Sequence, residues 1–483
     1  METQILFARR IGLSAMTGVL VTLSSIILLA ILAKTLPVAE FGSWSLILVT
    51  VGLVPIVASL GLTYSQVRFT AGSHDKRETQ ETFYSILVMV LAASVIMTLP
   101  FVLFARQIAA ALFYNDVGIA LMLAANVYIA CVTPFFLNYF RALQQIKSYS
   151  TFLLLQAYLN VAIIAYFIVA GFGLRGAVLG LLIQQVIVLV LSACLVLRKL
   201  GVVMPTFVSA RTYLHFGAPL VLGDLSSWTV NASDRYLIGL LLGTVAVGYY
   251  SPAYAVGSGI SVLVYPFVTM LPSVLTQHYE DRSLENVRAV LEYSLKYYCG
   301  LAIPCFFALS ILSKPLLLII ATPEIAANAY FVTPFVAAAT VFVGAYEVLL
   351  QGLALKKKTA LVGSIWMISA AMNFGLNLVL IPYLGIIAAA LTTLVAYVAA
   401  FTLTTIYSLR EFKFPIRGTF VLKSVCASLV GSIVLVLWHP LGLASVIVSV
   451  LVAAAVYLGI LFVMKGITVE EIRFFYRVFR HPS

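Results

Sequence analysis

Along this chain the apolar residues neither alternate with polar ones nor recur at the spacing of an amphipathic helix. They come in continuous blocks of about twenty residues separated by short polar stretches. A helix rises about 1.5 Å per residue, so a block of that length crosses roughly 30 Å of hydrocarbon. The blocks predict fourteen transmembrane helices, at 11–33, 39–62, 82–104, 117–139, 151–170, 175–197, 217–242, 245–275, 294–313, 327–354, 360–382, 385–408, 419–438 and 442–464. The first block follows Arg9 and Arg10, but it is longer than the apolar region of a signal peptide and no A-x-A site follows it, so it reads as a helix. Pro55, Pro134, Pro266 and Pro334 fall inside blocks and predict bent helices.

The polar stretches carry an orientation. Lys and Arg gather in short cytoplasmic loops. Alternate stretches, counted from the N-terminus, hold 24 of the 29 basic residues, and the other face holds Lys34, Arg106, Arg175, Arg235 and Lys314. Both termini are therefore predicted to be cytoplasmic, which requires an even number of spans.

Composition agrees. Of the 483 residues, 63% are hydrophobic and 10% charged, against about 45–50% and 25% in soluble domains. The net charge of +12 follows from the inward bias of the loops and the pull of anionic lipid, so no nucleic-acid partner is needed. The five cysteines lie in apolar blocks without metal-ligand spacing and read as small buried hydrophobes.

Three landmarks repeat in order. Gly42 of "EFGSWS" matches Gly248 of "VGYYS" at an offset of 206, Lys147 matches Lys356 at 209, and Gly173 matches Gly385 at 212. Spans 1–6 and 7–12 therefore read as two copies of a six-helix unit, related by an axis along the membrane normal, with a cavity between them. The predicted organisation is an N-terminal lobe at 1–200, a C-terminal lobe at 201–412, two added helices at 413–464, and an amphipathic cytoplasmic tail at 465–483 with a capping box at Thr468 and Glu471.

The stretches "LPVAEFGSWSL", "GLTYSQVRFTAG", "SDRYLIGLLLGTVAVGYYSPAY" and "LALKKKTALVG", in this order and spacing from about residue 5 to 465, resemble the polysaccharide flippases of the Wzx type. Those belong to the multidrug/oligosaccharidyl-lipid/polysaccharide exporter superfamily. The resemblance implies a plasma-membrane flippase that moves a polyprenyl-phosphate- or pyrophosphate-linked oligosaccharide outward by alternating access. It implies a monomer working beside glycan-polymerising proteins, with membrane lipids and a coupling proton or sodium ion as further partners, and no cofactor. A drug or cation antiporter of the same superfamily is the nearest alternative. A membrane glycan polymerase or transferase is a third reading, but it tends to need a large outer loop, and the longest here is about Ser313 to Ala326. No P-loop, H-E-x-x-H or G-x-S-x-G motif marks an enzyme.

Ionisable groups in lipid are costly and face partners or wet cavities. Asp224, Asp234 and Glu347 are the acidic residues within spans. Asp234 with Arg235 reads either as a headgroup anchor or as lining of the outer mouth, and Asp224 as interior-facing. Glu347 matches Asn138 of span 4 at the repeat offset and could carry a coupling proton. Arg9, Arg10, Arg68 and Arg141 cluster at the predicted inner mouth, where the planar guanidinium fork suits a phosphate. Asn373 and Asn377, four apart, with Thr392 and Thr393 offer neutral oxygens for a sodium ion or, alternatively, plain interhelical hydrogen bonds.

Overall fold

The computed structural model describes residues 2–71 and 75–467, and the side chains of residues 13, 16–70 and 75–467. Among these the chain is helical, without a strand. The chain divides by contacts into two units. Unit 1, residues 1–251 and 366–389, holds α1 (Glu2–Thr35), α2 (Val38–Ala58), α3 (Leu62–Ala71), α4 (Lys76–Leu103), α5 (Ala105–Leu112), α6 (Val117–Ala142), α7 (Ile146–Val169), α8 (Gly173–Leu200), α9 (Ala210–Leu242) and the first half of α10 (Thr244–Gly257). Unit 2, residues 252–365 and 390–483, holds the end of α10, a 3-10 segment (Ser258–Val264), α11 (Tyr265–Glu280), α12 (Leu284–Ile311), α13 (Ser313–Ile320), α14 (Pro323–Ala329) and α15 (Val332–Leu355). It also holds most of α17 (Ile386–Phe412), together with α18 (Gly418–Trp438) and α19 (Leu443–Val463). Most of α16 (Thr359–Leu384) belongs to unit 1.

Helices are the expected answer to lipid, which offers no partner to an unbonded peptide group. Thirteen segments among the described residues are long and apolar enough to cross a membrane, α10 to α11 counting as one. The other predicted span corresponds to α9, whose 33 residues include His215, Asp224, Asp234 and Arg235. The span predicted at 245–275 is not one continuous α-helix, because the 3-10 segment interrupts it. The span predicted to 62 ends at Ala58, where Leu60 (φ 48°) and Gly61 (φ 70°) turn the chain into α3. The predicted outer loop after Ser313 folds as α13 and α14. The capping box at Thr468 and Glu471 lies outside the described residues. Of the cysteines, Cys131 is buried but Cys194 is exposed, which corrects the uniform reading of that set.

Unit 1 is cored by rings from α4, α6 and α7. Phe83 packs on Phe135 at 4.8 Å between centroids, and Phe140 stacks on Phe152 at 5.3 Å. Polar clasps tie the connections to this core. The Tyr84 hydroxyl donates to the Gly201 carbonyl, and Thr206 donates from its backbone N–H and its hydroxyl to Glu81 at 2.7 Å each. In unit 2 Tyr298 is fully buried among α12, α15 and the 3-10 segment, where Gly344 makes room: a Cβ there would stand 1.9 Å from the Tyr298 hydroxyl.

Candidate functional site

Three polar groupings stand out in unit 1. The first is built on α3. Ser65 donates to the Tyr213 carbonyl at 2.7 Å and Gln66 to the Phe135 carbonyl at 3.0 Å, so this face of the short helix is pinned to α9 and α6. Backbone contact tightens the same corner, because a Cβ on Gly61 would lie 2.0 Å from the Gly217 carbonyl oxygen. With that face fixed, Tyr64 and Arg68, four apart, are left exposed. The Tyr64 hydroxyl donates to both oxygens of Asp224, at 3.0 Å each. Burial first, and then the Asp224 carboxylate, push the Tyr64 hydroxyl up to about 12, so it remains a donor. Arg141, exposed at the end of α6, is near enough to act on that hydroxyl in the opposite sense. Arg68 lies 4.6 Å over the Phe216 ring. The structure thus brings Asp224 and Arg141 to the hydroxyl of Tyr64, a residue the sequence analysis did not single out, with Arg68 one turn further along α3. Arg9 and Arg10 sit on α1, and their side chains lie outside the described set.

The second grouping surrounds Asp234, which is fully buried. Its carboxylate accepts from the Tyr250 hydroxyl and, at 2.8 Å and 3.3 Å, from the backbone and a guanidinium nitrogen of Arg235. Arg235 also donates to the Asn231 carbonyl at 2.8 Å. Asp234 therefore ties α9 to α10 inside the protein and does not reach a headgroup.

The third is a cavity of about 350 Å³ bounded by α2, α6, α7 and α8, with Asn138, Gln156, Gln184 and Gln185 in its wall. Asn138 entered the sequence analysis only as the counterpart of Glu347, and the three glutamines were not singled out there. Gln156 on span 5, Gln184–Gln185 on span 6 and Asn138 on span 4 were the available signal.

The remaining candidates are spread over both units. Glu347 lies on α15 of unit 2, and its carboxylate has no hydrogen bond or ion pair among the described residues. Asn377 donates to the Asn373 side chain at 3.2 Å in unit 1, whereas Thr392 and Thr393 fall in unit 2, and all four are buried. No group of three or more His, Cys, Asp or Glu side chains suited to a metal occurs among the described residues.

Comparisons with known proteins agree with one another. A profile of a polysaccharide biosynthesis protein family matches residues 7–276. A probable low-salt glycan biosynthesis flippase, Agl15 of Haloferax volcanii, is 25% identical over 195 residues, which are 40% of this chain and 41% of that protein, so the match spans about two fifths of the relative. Among solved structures, the lipid II flippase MurJ in an inward closed conformation has a TM-score of 0.77 at 15% identity, over 92% of this chain and 97% of that one. An inward-facing multidrug transporter of the MATE family has a TM-score of 0.60 at 18% identity, over 81% and 94%. These structural likenesses show that the chain shares its fold with MurJ and the MATE transporter.

Proposed function

Because this chain belongs to the polysaccharide biosynthesis protein family, whose profile covers more than half of it, we propose that it is a flippase carrying a polyprenyl-(pyro)phosphate-linked oligosaccharide across the plasma membrane by alternating access. The protein is a multi-pass membrane transporter with the fold of the exporter superfamily. The observation that supports the lipid-linked substrate best is the pair of exposed arginines near Tyr64, Arg141 acting on its hydroxyl and Arg68 one turn along α3, since arginine's fork of donors suits a phosphate. Asp224 fixes the Tyr64 hydroxyl, which donates to both of its oxygens at 3.0 Å. Two six-helix repeats with both termini in the cytoplasm, a monomeric carrier, and Glu347 or the Asn373, Asn377 and Thr393 oxygens as the ion-coupling groups complete the proposal.

The structural likeness to MATE transporters favours a second reading, a drug or cation antiporter of the same fold. The two part on substrate. In a strain lacking its own glycan flippase, the wild-type chain restores surface glycan if the first reading holds. Drug resistance without glycan rescue supports the second.

A further inference from the structure

The amide-lined cavity of unit 1 has a chemistry that the phosphate-binding reading leaves unused. Its volume of about 350 Å³ falls at the small end of the roughly 300–1,000 Å³ of ligand pockets. No Lys, Arg, Asp or Glu lines it, so it offers neither a counter-charge for phosphate nor a carboxylate for a cation. Its polar wall is one of amides, with the Tyr149 side chain beside them. Gln184 and Gln185 are 1% and 7% exposed, and Nε2 of the first and Oε1 of the second find no hydrogen-bond partner among the described residues. One donor and one acceptor on consecutive residues of α8 are therefore buried without a protein partner among the described residues, which is unfavourable unless something else meets them. Pro55, Pro134 and Leu137 present C–H surface in the same wall. Flat amides for hydroxyls, with aliphatic surface for a ring face, suit an uncharged polyol.

The cavity's place narrows the occupant. Asn138 in its wall and Arg141 are three apart on α6, neighbours on one face about 4.5 Å apart along the axis. In a lipid-linked glycan the first sugar is bonded directly to phosphate, so a phosphate held at Arg141 places that sugar ring beside Asn138. We propose that this cavity is a subsite for an uncharged hexose or N-acetylhexosamine, the residue bonded to the phosphate of the carried lipid. The assignment rests on the flippase reading for the identity of the whole ligand, and on the cavity alone for its taste for a neutral sugar.

Saturation-transfer NMR on the purified full-length protein in lipid nanodiscs tests it, with glucose and N-acetylglucosamine as probes. The wild type transfers saturation to at least one of the two sugars. Gln184→Met with Gln185→Met keeps volume but removes both polar groups, and weakens apparent binding about tenfold. Gln156→Leu serves where the double variant does not fold, with the same loss expected. Absence of transfer from the wild type to both sugars overturns the subsite, as does equal transfer from the folded variants. Sugar binding that survives in a protein unable to restore glycan export overturns the flippase reading and leaves the subsite standing.

Discussion

Gly42 and Gly248 face each other across the contact of α2 with α10, each against the other helix's backbone. A Cβ on Gly42 would stand 1.8 Å from the Thr244 carbonyl oxygen, and one on Gly248 would stand 2.1 Å from the Val38 carbonyl oxygen. Val38 and Thr244, like the glycines, are 206 residues apart. The two contacts therefore share a single offset, the one that the sequence repeat proposes. Small residues at a contact let membrane helices approach this closely.

Replacing Gly42 or Gly248 with leucine forces the backbones apart. Overpacking of this kind costs about 1–3 kcal/mol, and the expected result is a folded but less stable protein with glycan export strongly reduced. Thermal unfolding in detergent together with the export assay checks it. Wild-type behaviour of both variants would mean that the close approach is incidental.

The Asp234 cluster predicts graded effects. Tyr250→Phe removes one donor to a buried carboxylate and is expected to cost about 1–3 kcal/mol. Asp234→Ala removes the carboxylate partner of the Arg235 guanidinium, 13% exposed, and removal of one partner from a buried pair costs about 3–5 kcal/mol. Unfolding curves should rank wild type, Tyr250→Phe and Asp234→Ala in that order. Equal stability of all three would show that the cluster does not hold α9 to α10.

At the start of α6, the Asp116 side chain accepts from the Ile119 N–H at 3.2 Å and pairs with Arg175. The Arg175 hydrogen bond holds its carboxyl below the usual carboxylate range. A lowered native value means that the unfolded state takes up the proton first. The contribution is thus complete above about pH 4 and fades as pH falls through the lower native value. Asp116→Ala is expected to cost about 1 kcal/mol at neutral pH by loss of the cap. The gap from wild type should narrow as the medium is acidified below pH 4, and a gap independent of pH would contradict the pairing.

Glu347 is tested by its isostere. If it carries the coupling proton, Glu347→Gln leaves the protein folded and removes the dependence of export on the pH gradient. Proteoliposomes with an imposed gradient provide the readout, and an unchanged dependence would remove Glu347 from the coupling step.

Most of the membrane architecture was legible because lipid imposes a length that uninterrupted apolar blocks report directly. The 3-10 segment at Ser258–Val264 was not, since "SGISVLV" has the same hydropathy in either helical form. Helices α5, α13 and α14, seven or eight residues each, are shorter than a membrane crossing and left no mark in a search for spans. Charge placed Arg68 and Arg141 on one predicted face, but the approach of Tyr64 to Arg141 and Asp224 depends on the turn at Leu60–Gly61 and the pinning of Ser65 and Gln66. The sequence separates those residues from Arg141 by more than seventy positions. The cavity amides were not grouped for another reason: the spans that carry them stay strongly apolar on average, and their shared wall arises only when α6, α7 and α8 pack.

The phosphate role of Arg68 and Arg141 is tested by exchanging each for lysine, which keeps the charge and loses the fork. Full glycan export by the double variant at equal expression would remove that role, whereas the expected loss exceeds what charge retention allows.

The central claim is transport of a lipid-linked glycan, and its most direct test is purified protein in proteoliposomes containing a fluorescent polyprenyl-pyrophosphate oligosaccharide. Accessibility of the glycan to an externally added, membrane-impermeant lectin or glycosidase follows its passage between leaflets. Export predicts that the protein moves the inner-leaflet pool to the outside, and that Arg68→Lys with Arg141→Lys slows this about tenfold or more. Liposomes whose inner pool stays protected with active, correctly folded protein present would contradict it.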